Sequence, residues 1–263
     1  MKLLYTIGQF VKFLFSARNT RGHGVHSPYL FDFFQNVIHA KNPFYCFIKI
    51  EHLRGILIKN NNTLTINDFG ALTSRTETIA EIAAKSLKKP RYAQMLFRAV
   101  HFTRSVNVLE LGASLGLTTA YLASPQSSIR CVTMEGSSEI AEQARENFKI
   151  LNINNIELIE GNIDVLLQPT LDTFFNKIDF AFIDANHRYE AVMRYFDAIV
   201  PHLSEDSVLV MDDLYWSKEM TQAWNKINSY PSVSCSINLF QMGFIFFNKN
   251  FPKKKYKALC IHN

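Results

Sequence analysis

Residues 108–123, VLELGASLGLTTAYLA, decide the fold. An apolar run ends at Glu110, a turn carries Gly112 and Gly116, and a helix-forming run opens near Leu117. Glycines at such a turn let the backbone bend sharply and approach a ligand closely. The spacing is E-x-G-x-x-x-G, wider than the G-x-G-x-x-G of dinucleotide-binding loops. A loop of this width suits a nucleoside that carries an amino-acid group better than it suits a pyrophosphate. Glu110 would then lie beneath the loop and order the amine of that group, directly or through water. Taken alone, the loop also fits a purely structural turn.

The chain around this stretch alternates regularly from Pro90 onward. "RYAQMLFRAVHF" (91–102) reads as a helix and "IRCVTMEG" (129–136) as a strand. "SEIAEQARENFKILN" (138–152) is a helix with Ile140, Ala144, Phe148 and Leu151 on one face. "IELIEGN", a helix or turn near "DVLLQ", the strand "IDFAFIDAN" and the helix "YEAVMRYFDAIVPHL" follow. Strands that are apolar throughout, alternating with amphipathic helices, imply a parallel sheet covered on both faces. After a helix near "KEMTQAWNKIN", "SCSINLF" and "FIFFN" flank a tight turn and read as an antiparallel hairpin. The expected class is therefore α/β, a Rossmann-like doubly wound sheet with a C-terminal antiparallel hairpin. Residues 1–90 form a mostly helical N-terminal cap and residues 91–263 the ligand-binding domain. Within the cap, "TLTINDFGALTSRTETIAEIA" (63–83) repeats the strand–glycine–helix order around Asp68, Phe69 and Gly70. It lacks a second glycine, so it is assigned to the cap, with Ser74 and Arg75 toward the active site.

Composition narrows the classes. With 263 residues, 48% hydrophobic and 19% charged, the chain can bury a core and is no disordered polymer. Its 22 phenylalanines point to aromatic packing. The net charge of +5 permits an anionic partner without demanding one. Cys46, Cys131, Cys235 and Cys260 are far apart and lack metal spacing, so free thiols and a cytoplasmic location are expected. Near the N-terminus, Leu3, Leu4, Ile7, Phe10, Val11 and Leu14 recur at helical spacing. The run is too short and polar to span a bilayer. Its apolar face is expected to pack on the protein's own core, with a membrane-surface or homodimer contact as the alternative. His23 and His26 lie in the loop "RGHGVHSP", without a third residue that would complete a zinc site.

Four carboxylates stand at strand ends. "CVTMEGS" places Glu135 twenty-five residues after Glu110, where a carboxylate can accept bonds from both ribose hydroxyls. "FAFIDANHRYEAV" brings Asp184, Asn186 and His187 to a strand terminus, the end at which such sheets bind ligands. "VLVMDDLYWS" (208–217) ends an apolar strand on the adjacent pair Asp212 and Asp213. A divalent cation, a substrate clamp, a helix cap or solvent exposure each explains that pair.

Together these residues resemble the class I S-adenosylmethionine-dependent methyltransferases over roughly 91–248. The resemblance implies a seven-stranded sheet ending in the hairpin. It also implies that the Gly112–Gly116 loop, with Ala113 and Ser114, holds the methionine part of S-adenosyl-L-methionine. Glu135 with Gly136 would hold the ribose, Asn162 with Ile163 the adenine, and Asp184 would also border the cofactor. The string D-A-N-H-x-Y from Asp184 to Tyr189 is similar to that of bacterial small-molecule O-methyltransferases. "MDDLYW" resembles the "YDNTLW" of the cation-dependent catechol and caffeoyl-coenzyme A type enzymes. That comparison implies Asp184, Asp212 and Asp213 as ligands of Mg²⁺ or another divalent cation. Asp213 departs from the group's asparagine and His187 from its lysine. Asp184 and His187 are the candidate catalytic residues, His187 as general base because its ordinary pKa lies near neutrality. The expected activity is O-methylation of a small-molecule hydroxyl. A nucleic-acid methyltransferase is the runner-up, although the chain has no N-P-P-Y segment, no Pro-Cys nucleophile and no recognisable RNA-binding module. A non-catalytic protein that kept the fold is the third reading.

Overall fold

The computed structural model describes residues 2–68 and 73–260. The first part of the chain contains α1 (Lys2–Ser16), α2 (Pro28–Phe33), α3 (Tyr45–Leu57), β1 (Thr63–Asp68), β2 (Thr73–Thr78) and α4 (Ile79–Ser86). Then come α5 (Pro90–Thr103), β3 (Asn107–Leu111), α6 (Leu117–Ala123), β4 (Arg130–Glu135), α7 (Ser138–Leu151), β5 (Ile156–Glu160) and α8 (Ile163–Phe174). The last part contains β6 (Ile178–Ile183), α9 (Tyr189–Ile199), β7 (Leu203–Asp212), α10 (Lys218–Ile227), β8 (Cys235–Asn238), β9 (Met242–Phe246) and β10 (Lys254–Lys257). Eight strands form a sheet in the order β10-β8-β9-β7-β6-β3-β4-β5, and β1 with β2 makes a separate pair. The chain packs as two compact units, Lys41–Phe175 and Met1–Ala40 with Asn176–Asn263.

In the unit spanning 41–175, β3, β4 and β5 run parallel, with Asn107 opposite Arg130 and Cys131 opposite Ile156. Val108, Leu109, Leu111, Val132 and Met134 are fully buried, each contributing about 1.5–3 kcal/mol of hydrophobic stabilisation. A second apolar cluster joins Phe47, Ile50 and Leu53 of α3 to Phe97 of α5 and Tyr121 of α6. Residues 63–78 contain two strands where one was expected. β2 pairs antiparallel with β1 from Thr63–Thr78 to Asp68–Thr73. Its sequence TSRTET carries no apolar alternation, so periodicity does not reveal it. Thr78 ends the pair and starts α4 through a capping box. Its hydroxyl accepts from the Glu81 N–H at 3.1 Å, and Glu81 Oε2 accepts from the Thr78 N–H at 2.8 Å. Arg75 is exposed and pairs with Glu77 at 3.1 Å. Phe69, Gly70 and the side chains of Asp68 and Ser74 lie outside the described residues.

In the other unit, β6 and β7 are parallel, β9 is antiparallel to β7, and β8 is antiparallel to β9. The expected hairpin is thus present, but an eighth strand follows it. β10 pairs in parallel with β8, with Tyr256 1% exposed between lysines. Lysine is a usual residue for an edge strand, because its charge discourages further pairing. The core is aromatic: Phe33 meets Phe244 and Phe246 edge-on at 5.2 Å, the geometry that ring quadrupoles favour. α1 departs from expectation. It packs through Phe13, which is buried beside Tyr215 and Phe240, and through Tyr5 and Thr6, which bond Thr221 and Tyr215. Leu3, Leu4, Ile7, Val11 and Leu14 of the stripe expected to face the core are exposed, and Phe10, also exposed in part, meets Phe240 edge-on at 4.9 Å. Among the described residues no helix is long and apolar enough to cross a membrane.

Candidate functional site

The glycine loop is fastened to the end of β4. The N–H groups of Gly112 and Ala113 both donate to the Met134 carbonyl at 3.0 Å. Ser114, with φ +48°, turns its N–H onto Glu135 Oε2 at 2.8 Å, and Ser137 donates to Oε1 at 3.0 Å. Burial pushes the Glu135 carboxyl up, against the backbone N–H groups of Ser137, Ser114 and Gly136, which favour its charged form. Gly116 caps α6 with φ +78°, and a Cβ there would stand 2.5 Å from the Phe148 ring. Glycine is therefore required twice at this position, for the left-handed backbone and for the close approach of α7. Asn147, buried on α7, donates to the Leu115 carbonyl at 2.8 Å and holds the loop from the other side.

Glu110 lies fully buried in β3. Its Oε2 accepts from the hydroxyls of Thr119 on α6 and Thr133 on β4, the latter at 2.6 Å. The carboxylate thus ties three elements together at the base of the loop. Asn162 caps α8, its Oδ1 accepting from the Asp164 N–H at 2.9 Å. Ile163 is the first helical residue, whose N–H has no partner within the helix by geometry.

The acidic site is built from β6, β7 and the residues that follow them. Asp184 directly follows β6 and Asp213 directly follows β7. Between them stands His187, with Nε2 3.5 Å from Asp184 Oδ1 and 3.2 Å from Asp213 Oδ2. The backbone turns sharply to achieve this: Asn186, His187 and Asp213 all have positive φ, at 64°, 47° and 52°. Non-glycine residues in that region cost energy and concentrate at functional sites. Burial lowers the His187 pKa, but the two carboxylates outweigh it and push it up to about 9. The imidazole is therefore an imidazolium at neutral pH.

Asp184, His187 and Asp213 each offer a ligand atom within 4.8 Å of the others, so they could hold a cation. Asp212, the expected third ligand, is not in this group. It is 2% exposed as the last residue of β7, and neighbouring side chains of a strand point to opposite faces. His187 stands in its place. His23 and His26 are both exposed and belong to no such group among the described residues. The aromatic pair after Asp213 divides. Tyr215 turns inward, stacked on Phe240 at 4.8 Å, whereas Trp216 is exposed with its ring 6.3 Å from that of His187. Trp216, an exposed aromatic beside the titrating ring, is the site residue that sequence reading did not single out.

Residues 109–214 match the family model of a methyltransferase domain. A stretch of 95 residues is 30% identical to Uncharacterized protein R132 of Acanthamoeba polyphaga mimivirus, covering 35% of this chain and 43% of that relative. The match thus spans less than half the length of the relative. Among solved structures, the O-methyltransferase of Bacillus cereus in complex with SAH aligns with a TM-score of 0.58 and 18% identity, over 82% of this chain and 96% of its own. A candidate caffeoyl-CoA O-methyltransferase from Staphylococcus aureus aligns at 0.57 and 17%, over 83% and 97%. The O-methyltransferase TomG of Streptomyces achromogenes, in complex with SAM, aligns at 0.54 and 17%, over 61% and 81%. The chain has the fold seen in S-adenosylmethionine-dependent methyltransferases, and its residues 109–214 match the methyltransferase-domain model.

Proposed function

We propose that this protein methylates a hydroxyl group of a small molecule, using S-adenosylmethionine, and that it works in the cytoplasm with its four cysteines free. The observation that carries this reading is the convergence of Asp184, His187 and Asp213 at the ends of two adjacent parallel strands. The chain's methyltransferase segment also holds a glycine loop latched to Glu135. Bound S-adenosylmethionine supplies an activated methyl group on a positively charged sulfur. The residues fit it. Glu135 would hold the ribose hydroxyls with its carboxylate, the Gly112–Gly116 backbone would border the methionine part, and Asn162 with the Ile163 N–H would hold the adenine.

The donor set also fits a divalent cation, which when bound lowers the pKa of an acceptor hydroxyl. Asp184 and Asp213 would hold it. His187 in its neutral form takes the hydroxyl proton as the new carbon–oxygen bond forms, and the carboxylates on either side orient its ring. Trp216 offers an aromatic face to a planar acceptor next to that ring.

Calorimetry with S-adenosylhomocysteine tests the cofactor assignment: saturable one-to-one binding is expected, and no heat at any concentration would overturn it. Transfer of labelled methyl groups to a panel of catechols and other hydroxyl compounds tests the reaction. Loss of transfer in EDTA, restored by manganese, is expected. Transfer unchanged by EDTA removes the cation and leaves the methyl transfer standing.

A further inference from the structure

The outward face of α1 has no role in methyl transfer. Leu3, Leu4, Ile7, Phe10, Val11, Leu14 and Phe15 are all exposed, Leu4 at 76% and Phe15 at 83%. They recur three and four residues apart, so they share one helical face. Scattered exposed apolar residues are normal, but seven on one 15-residue helix are a contiguous apolar surface of the kind that marks an interaction site.

The charged residues along and just after α1 are all basic. No acidic residue occurs before Asp32, whereas Lys12, Arg18 and Arg21 are exposed. The fold adds more. β10 lies along the segment that follows α1: Asn19 donates to the Lys257 carbonyl at 3.0 Å, and Lys257 donates to Asn19 Oδ1 at 3.1 Å. The Lys257 ammonium reaches Ser16 at 3.3 Å, and Leu259 donates to Thr20 Oγ1 at 3.0 Å. Lys257 is thereby brought to the C-terminal end of α1 from the far end of the chain, and exposed Lys254 lies along the segment that follows the helix, its ammonium reaching the Gly24 carbonyl at 3.1 Å.

This charge pattern decides between occupants. Two copies meeting through α1 would bring two basic rims together, which is repulsive. An anionic bilayer attracts the same rim and accepts the apolar face, and the helix is too short to span it. We infer that α1 and the lysines of β10 dock the protein onto the surface of an anionic phospholipid bilayer. The apolar face of α1 enters the boundary between headgroups and acyl chains. α1 is bonded to the segment after Asp213 through Thr6 and the Tyr215 carbonyl at 3.1 Å, so docking holds that segment near the lipid surface.

Co-sedimentation of the full chain with vesicles tests this. Vesicles of phosphatidylcholine with about a third phosphatidylglycerol should bind at least about tenfold more tightly than phosphatidylcholine alone, and binding should fall steeply with salt. Leu4→Glu with Phe15→Glu should lose about tenfold or more in affinity while melting like the parent, because neither side chain packs in the core. Lys12→Glu with Lys255→Glu should reduce binding to the anionic vesicles alone. Absence of binding to anionic vesicles, or equal binding by the Leu4 and Phe15 variant, overturns the inference. A dimer in light scattering that this variant converts to monomer, without vesicle binding by the parent, assigns the face to a second copy instead.

Discussion

A histidine between two carboxylates behaves unlike a free one, and His187 makes this measurable. Burial disfavours its charge, yet Asp184 and Asp213 together hold the pKa near 9. The folded value lies above the unfolded value, so the ion pair's stabilisation is fully present below pH about 6.5 and is lost as pH rises through about 9. Its size is of the order of 1–3 kcal/mol, reduced by partial solvent access. In chelator-treated protein, the imidazole resonances of His187 should titrate near 9, and Asp213→Asn should move the midpoint down by about a unit or more. A midpoint of about 6.5 in the parent would refute the pairing. His187 is also the proposed base, so His187→Gln should flatten the rise of methyl transfer with pH in manganese-loaded protein. Glu135 offers a second test at this scale. Glu135→Gln should weaken S-adenosylhomocysteine binding about tenfold to a hundredfold, as expected for losing charge-assisted hydrogen bonds worth about 1.5–3 kcal/mol. Glu135→Ala should cost more, because the Ser114 and Ser137 N–H groups lose their acceptor as well.

Between elements, two glycines look alike in sequence and differ in physics. A Cβ on Gly243 of β9 would stand 2.3 Å from the Trp224 ring of α10, in a backbone conformation open to any residue. At Gly116 the Phe148 ring is as intrusive, at 2.5 Å, and the backbone is left-handed too. Alanine at either position should cost about 1–3 kcal/mol from overpacking. Shrinking the partner separates the cases. In a Trp224→Leu background, Gly243→Ala should become nearly neutral. In a Phe148→Ala background, Gly116→Ala should still cost about 1 kcal/mol or more, the left-handed penalty of an L-residue. Urea melts of the four proteins in each cycle give these couplings. An equal rescue at both sites would show that the strain at Gly116 is steric alone.

For the molecule as a whole, the legible part was what burial writes into periodicity. Strands apolar throughout, amphipathic helices and the terminal hairpin appeared where expected, because a two-sided core leaves no other pattern. β10 did not stand out, because KKYK buries one tyrosine and otherwise reads as a charge cluster. β2 was hidden by polar residues on both faces. Helical spacing correctly marked one face of α1, but spacing does not say what covers a face. Adjacency misled at Asp212 and Asp213: two neighbouring carboxylates read as a pair, while the pleat and the positive φ of Asp213 send only one of them to His187. The glycine loop, in contrast, was legible in position because Gly112 and Gly116 both take positive φ, at 98° and 78°, which favours glycine. That geometry implies a consequence for the entire chain. A ligand bound only by the folded state stabilises it by RT ln(1 + [L]/Kd), about 2.7 kcal/mol at a hundredfold excess over Kd. For a chain of this size each kcal/mol raises the melting temperature by about 2–4 °C, so S-adenosylhomocysteine should raise it by about 5–10 °C. At the same ligand concentration Glu135→Gln, with its affinity reduced about thirtyfold, should keep only about a third of that shift. A shift of equal size in both proteins would place the ligand elsewhere than against Glu135.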